Sequence, residues 1–302
     1  MSKLDLPKKK LKHCRDGESY CDSIASLERV YQAMKNIDFL GIGVQRAGTT
    51  WLHNCLSEHP ELCLPQQKEL QFFNAFYNKG YDWYFDQFKP KDLEWKLGEI
   101  TPNYFYSKAA LDRISKDYPN IKVILILREP CSRTYSAYEL FKGKRCADTD
   151  LVSACQQSEF LIRESLYSEM YKYLVQKLST ENILVKLYDD IERTPDTFIS
   201  DVYKHLGVDS SFKPSSLTTR YNKVIYPKLQ QALQKAKLNF LIEIVKDSRL
   251  GNTIRKSQSQ PSERNRFTKN ELMAHYGKIF RDDVKSLKSL TDLDFSGWDL
   301  DS

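Results

Sequence analysis

The sequence predicts an α/β fold: a single domain with a central parallel sheet flanked by helices. Two observations carry this expectation. Apolar runs at 37–44, 121–129 and 182–190 are each followed by a segment with helical spacing, and alternating strands and helices pack best as a parallel sheet covered on both faces. The run 121-IKVILIL-127 is apolar at nearly consecutive positions, the pattern of a strand buried on both sides. With 302 residues the chain can bury a sizeable core. Residues 1–36 are expected to form an N-terminal tail and helix, and 37–302 the domain.

Residues 1–20 are polar and read as irregular; a helix is expected over 22–35 behind an Asp22 cap. The strand in 37-IDFLGIGV-44 runs into a glycine loop, and 49-TTWLHNCLSEHP-60 reads as a helix stopping near Pro60. The second strand ends at Pro130, and 132-SRTYSAYELFKG-143 reads as a helix closed by Gly143. Residues 150–179 read as mostly helical. The third strand, 182-NILVKLYDD-190, precedes 194-TPDTFISDVYKHLGV-208, with Thr194 as N-cap, Pro195 at the first helical position and Gly207 as stop. Residues 213–230 and 248–266 read as ordered polar loops or lids. An amphipathic helix spans 268–290, and 295-FSGW-298 closes the chain.

The net charge of +6 suits an anionic ligand without singling out nucleic acid. No apolar run approaches the ~20 residues of a membrane span, and the N-terminus lacks the apolar core of a signal peptide. Neither nucleic acid nor a membrane is therefore an expected partner. Lys8, Lys9, Lys10 and Lys12 read as a solvated tail. Seven scattered cysteines, without C-x-x-C, argue against a disulfide framework or zinc site and fit a reducing cytosol. His53 and His59 read as surface or packing residues, and no metal is expected. Nothing in the sequence sets the oligomeric state.

The chemistry starts at 43-GVQRAGTT-50. A nucleotide-hydrolysing P-loop reads G-x-x-x-x-G-K-[ST] between a strand and a helix. Here Gly43, Gly48 and Thr50 keep the spacing, so the loop and its sheet are P-loop-like, but Thr49 stands where the Lys belongs. The backbone N–H groups of Arg46, Ala47, Gly48, Thr49, Thr50 and Trp51 should cradle an anion, and Arg46 adds a permanent charge. With no Lys, and with Arg128 rather than an Asp ending the second strand, magnesium-dependent triphosphate chemistry is disfavoured. Ligands of open α/β sheets bind at the C-terminal ends of strands. Arg128 at such an end, and Ser136 eight residues on, imply a ligand with two separate anionic groups. Arg133 reads equally as a ligand residue or an ion-pair partner.

These residues resemble the sulfotransferases that use 3′-phosphoadenylyl sulfate (PAPS). In that family a loop like 43–50 holds the 5′-phosphosulfate, with a basic residue at the position of Arg46. An Arg and a Ser placed like Arg128 and Ser136, in 128-REPCSRTYS-136, bind the 3′-phosphate. The segments 68-KELQFFN-74, 81-YDWYF-85, 98-GEITPNYF-105, 182-NILVKLYDD-190 and 280-FRDDVKSL-287 also look like family landmarks, so the resemblance covers roughly 37–298.

The resemblance is nearer to the heparan-sulfate and bacterial carbohydrate branch, because 68-KELQFF-73 is similar to that branch's K-E-x-H-F-F. It implies that Glu69 is the general base and that Lys68 and Arg46 stabilise developing negative charge. Two positions depart from the pattern: Gln71 replaces a His, and Ile100, in 99-EITP-102, replaces a Lys that contacts substrate or cofactor. Glu99 could serve as a second acid or simply end a strand. Arg220 and Asn222 resemble a segment that closes over the cofactor, and Arg249, Arg255, Arg264 and Arg266 could line the acceptor entrance. The aromatic residues at 72, 73, 76, 77, 81, 83, 84 and 85 could stack on a sugar or belong to the core.

The implied enzyme transfers a sulfuryl group from PAPS to a hydroxyl or amine of a carbohydrate or small metabolite, releases 3′,5′-ADP and uses no metal. The alternatives are a P-loop phosphotransferase, which would turn over ATP with Mg²⁺, and a non-catalytic nucleotide-binding protein.

Overall fold

In a computed structural model the chain is described at residues 36–90, 95–146, 148–218 and 263–298 and at Leu300. The expected helix over 22–35, Cys14, Cys21, Arg220, Asn222, Arg249 and Arg255 lie outside these residues, as do the side chains of Arg264 and Arg266.

Residues from Ile37 onward belong to one compact unit. Its centre is β1 (Phe39–Gly43), all five residues of which are buried. Around it stand β2 (Leu62–Cys63), β3 (Lys96–Ile100), β4 (Lys122–Leu127) and β5 (Ile183–Leu187), in the order β2-β3-β1-β4-β5. Every neighbouring pair is parallel. Parallel neighbours require long crossovers, and helices fill them. Between β1 and β2 runs α1 (Thr49–Ser57); α2 (Gly80–Phe85) lies before β3 and α3 (Lys108–Asp117) before β4. Among the described residues four α-helices lie between β4 and β5: α4 (Pro130–Phe141), α5 (Leu151–Gln157), α6 (Phe160–Arg163) and α7 (Ser168–Lys177).

This order creates a switch point. From β1 the chain crosses to the β2–β3 side, then returns to lay β4 on the other side of β1. The C-terminal ends of β3, β1 and β4 therefore meet, as a ligand site in an open α/β sheet requires. The register holds them together: Leu40 lies opposite both Glu99 and Val123, and the Thr101 N–H donates to the Gly41 carbonyl at 2.9 Å.

The core runs through all five strands and takes in Phe72, Phe73, Tyr84, Phe198, Phe280, Phe295 and Trp298. Each such ring contributes ~1.5–3 kcal/mol by leaving water. Of the aromatic residues between 72 and 85, Phe72, Phe73 and Tyr84 are core, Phe76 is exposed, and Tyr77, Tyr81, Trp83 and Phe85 are half-buried.

Several boundaries differ from expectation for local reasons. The third strand stops at Leu187, and 188–190 turn into helix α8 (Tyr188–Arg193). Asp189 and Asp190 fall in its first turn, where the helix dipole favours acids. Helix α9 (Pro195–Leu206) begins at Pro195 and ends on left-handed Gly207, as read. Thr194 occupies the N-cap position, but its hydroxyl points back to the Asp190 carbonyl at 3.5 Å and caps nothing. Helix α4 starts at Pro130 because the Glu129 carboxylate caps it, accepting from the N–H of Ser132 at 2.7 Å and of Cys131 at 3.2 Å. The last helix, α10 (Glu263–Lys288), starts earlier than the expected 268. Its Asp283 caps α7, accepting from the Tyr167 and Ser168 N–H groups at 2.7 and 3.0 Å.

His59 is a packing residue, its ring 4.5 Å from that of Tyr203. Among the described residues the five cysteines are free and buried. No described helix is long and apolar enough to cross a membrane.

Candidate active site

Backbone strain marks the site. Among the described residues, the non-glycine residues with left-handed φ are Arg46 (77°), Glu69 (65°) and Gln71 (52°). Such conformations cost of order 1–3 kcal/mol each and persist only where the surroundings impose them. All three fall in the two loops that the sequence singled out.

The first loop links β1 to α1. Gly48 caps α1 with φ 81°, and no side chain caps that end, so the N–H groups of the first turn are available to an anion. Only glycine fits there: a Cβ would lie 2.7 Å from Ile191 Cδ1 and 3.2 Å from the Tyr188 ring of α8. Two arginines hold the carbonyls of the loop. Arg128 Nη1 donates to the Arg46 carbonyl at 2.8 Å, and Arg133 Nε to the Gln45 carbonyl at 3.3 Å. Ala47 is buried, Thr49 nearly so, and Thr50 is exposed. Trp51 turns its side chain into the core, where its indole N–H donates to the Leu217 carbonyl at 3.3 Å. Its contribution to an anion cradle is thus confined to its backbone.

The arginines form one cluster. Arg46 Nε donates to the Ser136 hydroxyl at 3.0 Å, which joins the loops after β1 and β4. Burial, then the charges of Arg128 and Arg133, push the Arg46 pKa below its ordinary value. Arg128 lies over the Tyr188 ring, 4.4 Å from its centroid, and its carbonyl accepts from the Tyr167 hydroxyl. Its buried Nε has no partner among the described residues. Arg133 is different. It is fully buried, ion-paired with Glu164, and also donates to the Leu161 carbonyl. That resolves its two readings: Arg133 is a structural ion-pair residue that braces the loop from behind.

The second loop carries Lys68 and Glu69. Lys68 Nζ donates to Glu69 Oε1 at 2.8 Å and to Thr49 Oγ1 at 3.3 Å, so the predicted base and the cation beside it stand against the first residue of α1. Burial, with the charge of Lys68, lowers the pKa of His53, one turn along α1, to about 4. Glu99 belongs elsewhere. It lies on β3 with no exposed surface, and its carboxylate accepts from Tyr104 at 2.6 Å, Thr101 at 2.7 Å and Tyr84 at 3.3 Å. Burial raises its pKa against the pull of these hydroxyls. A carboxylate so enclosed cannot reach an acceptor, so of its two readings the strand-end role is the one its geometry allows.

The structure thus assembles Arg46, Ala47, Gly48, Thr49 and Thr50 with Lys68, Glu69, Arg128 and Ser136. Sequence reasoning missed Tyr188, Glu164 and Thr101. For Tyr188 there was a signal, since it lies near the C-terminal end of a predicted strand; the other two are recognisable only by their contacts.

The donor set fits a ligand with two anionic ends. Like charges converge from two loops, a buried Arg128 Nε has no partner among the described residues, and α1 presents uncapped N–H groups. No group of three or more His, Cys, Asp or Glu among the described residues is arranged to hold a metal ion.

Comparison with known proteins places the chain. The family described as "Sulfotransferase domain" matches residues 36–290. The chain is 35% identical over 104 residues to the membrane-associated sulfotransferase kil1 of Dictyostelium discoideum, covering 33% of this chain and 22% of that protein. It is 31% identical over 210 residues to the bifunctional heparan sulfate N-deacetylase/N-sulfotransferase 4 of Mus musculus, covering 60% of this chain and 23% of that one. It therefore spans about a quarter of the length of these relatives. A sulfotransferase structure from Alicyclobacillus acidocaldarius shares the fold, with a TM-score of 0.62 at 21% identity, covering 87% of this chain and 98% of that one. The chain belongs to the sulfotransferase domain family.

Proposed function

We propose that the chain transfers a sulfuryl group from PAPS to a hydroxyl or amine of a carbohydrate acceptor, releasing 3′,5′-ADP. One observation carries the reading: Lys68 and Glu69 stand against Thr49, at the head of the anion-binding helix, while Arg46, Arg128 and Ser136 converge beside it. A carbohydrate acceptor is favoured because several similar proteins carry heparan sulfate in their names.

PAPS would supply the activated sulfuryl group on a phosphate leaving group. The α1 N–H groups and Arg46 would hold its 5′ end, and Arg128 with Ser136 its 3′-phosphate. Glu69 takes the acceptor's proton, since a hydroxyl or amine attacks well only as that proton leaves. Lys68 holds Glu69 Oε1 and leaves Oε2 for the proton. Lys68 also places a cation at the start of α1, where negative charge builds on the leaving oxygen. Arg220 and Asn222 are assigned to the nucleotide by their place in the sequence. The free cysteines fit a reducing compartment, and we assign the chain to the cytosol on that ground.

The experiment is direct. Isothermal titration with 3′,5′-ADP should show saturable binding without added metal. Incubation with PAPS and a panel of amino and hydroxylated oligosaccharides and small metabolites should release 3′,5′-ADP. Absence of nucleotide binding at millimolar concentration would sink the reading. Binding without transfer to any member of the panel would favour a non-catalytic protein.

A further inference from the structure

The loop carrying Glu69 hangs from the end of β3 by its backbone. Two of its N–H groups find acceptors on one short segment. Gln71 donates to Thr101 Oγ1 and Phe73 to the Tyr104 hydroxyl, both at 3.3 Å. The acceptors are themselves joined, because Thr101 and Tyr104 both donate to Glu99, at 2.7 and 2.6 Å. Glu99, Thr101 and Tyr104 are all buried. Leu70 lies between two left-handed residues, Glu69 and Gln71. An unsupported chain would relax that strain by rotating Glu69 out of its present direction.

We propose that Glu99 and Thr101 are positioning residues for Glu69: they hold the 69–71 backbone in its strained form and so keep the Glu69 carboxylate against Lys68. This rests on Glu69 being the base. Glu99 touches no reacting atom, and its effect passes through the Thr101 and Tyr104 hydroxyls, which it holds and which accept from the loop. Thr101 serves twice, accepting from Gln71 and donating to Glu99. A buried acid on a strand is costly unless its oxygens are satisfied. Here two of the hydroxyls that satisfy it, those of Thr101 and Tyr104, also brace the catalytic loop. Catalysis is sensitive to such support, since a displacement of about 1 Å can cost on the order of 100-fold in rate.

The test uses the full chain and the variants Glu99→Gln, Thr101→Val and Thr101→Ser, with Glu69→Gln as reference. Three quantities are measured: hydrogen exchange of the Gln71 amide, affinity for 3′,5′-ADP, and kcat and KM with PAPS and the best acceptor of the panel. Glu99→Gln and Thr101→Val should speed exchange at that amide. They should lower kcat about 10- to 100-fold while leaving 3′,5′-ADP affinity and acceptor KM within about twofold. Thr101→Ser, which keeps the hydroxyl, should restore both exchange and kcat. If Glu99→Gln fails to fold, the Thr101 pair decides. Unchanged exchange at Gln71 overturns the proposal, as does faster exchange with undiminished kcat. Full turnover in Glu69→Gln is a separate failure, because it removes the base reading on which the proposal rests.

Discussion

The Arg46 guanidinium donates from Nε to the Ser136 hydroxyl at 3.0 Å, a contact between residues 90 positions apart that joins the loops after β1 and β4. The same hydroxyl is assigned to the 3′-phosphate. Ser136→Ala removes a charge-assisted hydrogen bond, a class worth ~1.5–3 kcal/mol. The expected result is about 10-fold weaker 3′,5′-ADP binding by titration calorimetry at fixed ionic strength.

Arg128 does more. Besides its charge, it holds the Arg46 carbonyl and covers the Tyr188 ring. Arg128→Ala should weaken 3′,5′-ADP by about 100-fold, and Arg128→Lys should recover little, because an ammonium lacks the planar fork. Near-wild-type affinity in Arg128→Lys would show that charge alone suffices.

Glu69→Gln keeps the shape and the contact with Lys68 but cannot take a proton. Turnover should fall on the order of 10²- to 10⁴-fold, with 3′,5′-ADP affinity preserved. Stopped-time assays of PAPS consumption beside calorimetry separate the two effects.

Arg133 and Glu164 predict a stability effect instead. Removing one partner of a buried pair leaves an uncompensated charge, at a cost of ~3–5 kcal/mol. Glu164→Leu should lower the urea midpoint sharply, and the double variant Arg133→Met/Glu164→Leu should recover part of the loss. Additive effects of the two substitutions would argue against the pairing.

His53 sets a pH dependence. Its folded pKa of about 4 lies below the ordinary 6.5. Between these values the unfolded chain binds the extra proton, so stability rises with pH. The contribution is complete above about 6.5 and is lost as pH falls towards 4, by up to ~3 kcal/mol. Melting temperatures of His53→Gln should depend less on pH across that window than those of the parent chain.

Much of this was legible in the sequence because it is local. The 43–50 loop, the strand before it and the helix after it follow from spacing. Pro195 and Gly207 mark the two ends of α9, and the consecutive apolar residues at 123–127 mark a strand buried on both faces. What escaped depends on partners distant in the chain. Arg133 could be read two ways until Glu164, 31 positions on, closed over it. Glu99 could be a second acid until burial and the neighbouring hydroxyls enclosed it. Glu129 caps a helix with a side chain that cap preferences do not favour, and Thr194 stands in a favoured place without capping.

The arginine cluster has a consequence for the life of the chain. Among the described residues Arg133 has a carboxylate partner, while the ion pairs include none for Arg46 or Arg128. A polyanion bound as proposed would supply a counterion that these two residues do not draw from the described polypeptide. Folding and saturation with that nucleotide would then be one linked equilibrium. A cell short of nucleotide would hold more of the chain unfolded and exposed to proteolysis, so its abundance would follow the supply of its own ligand.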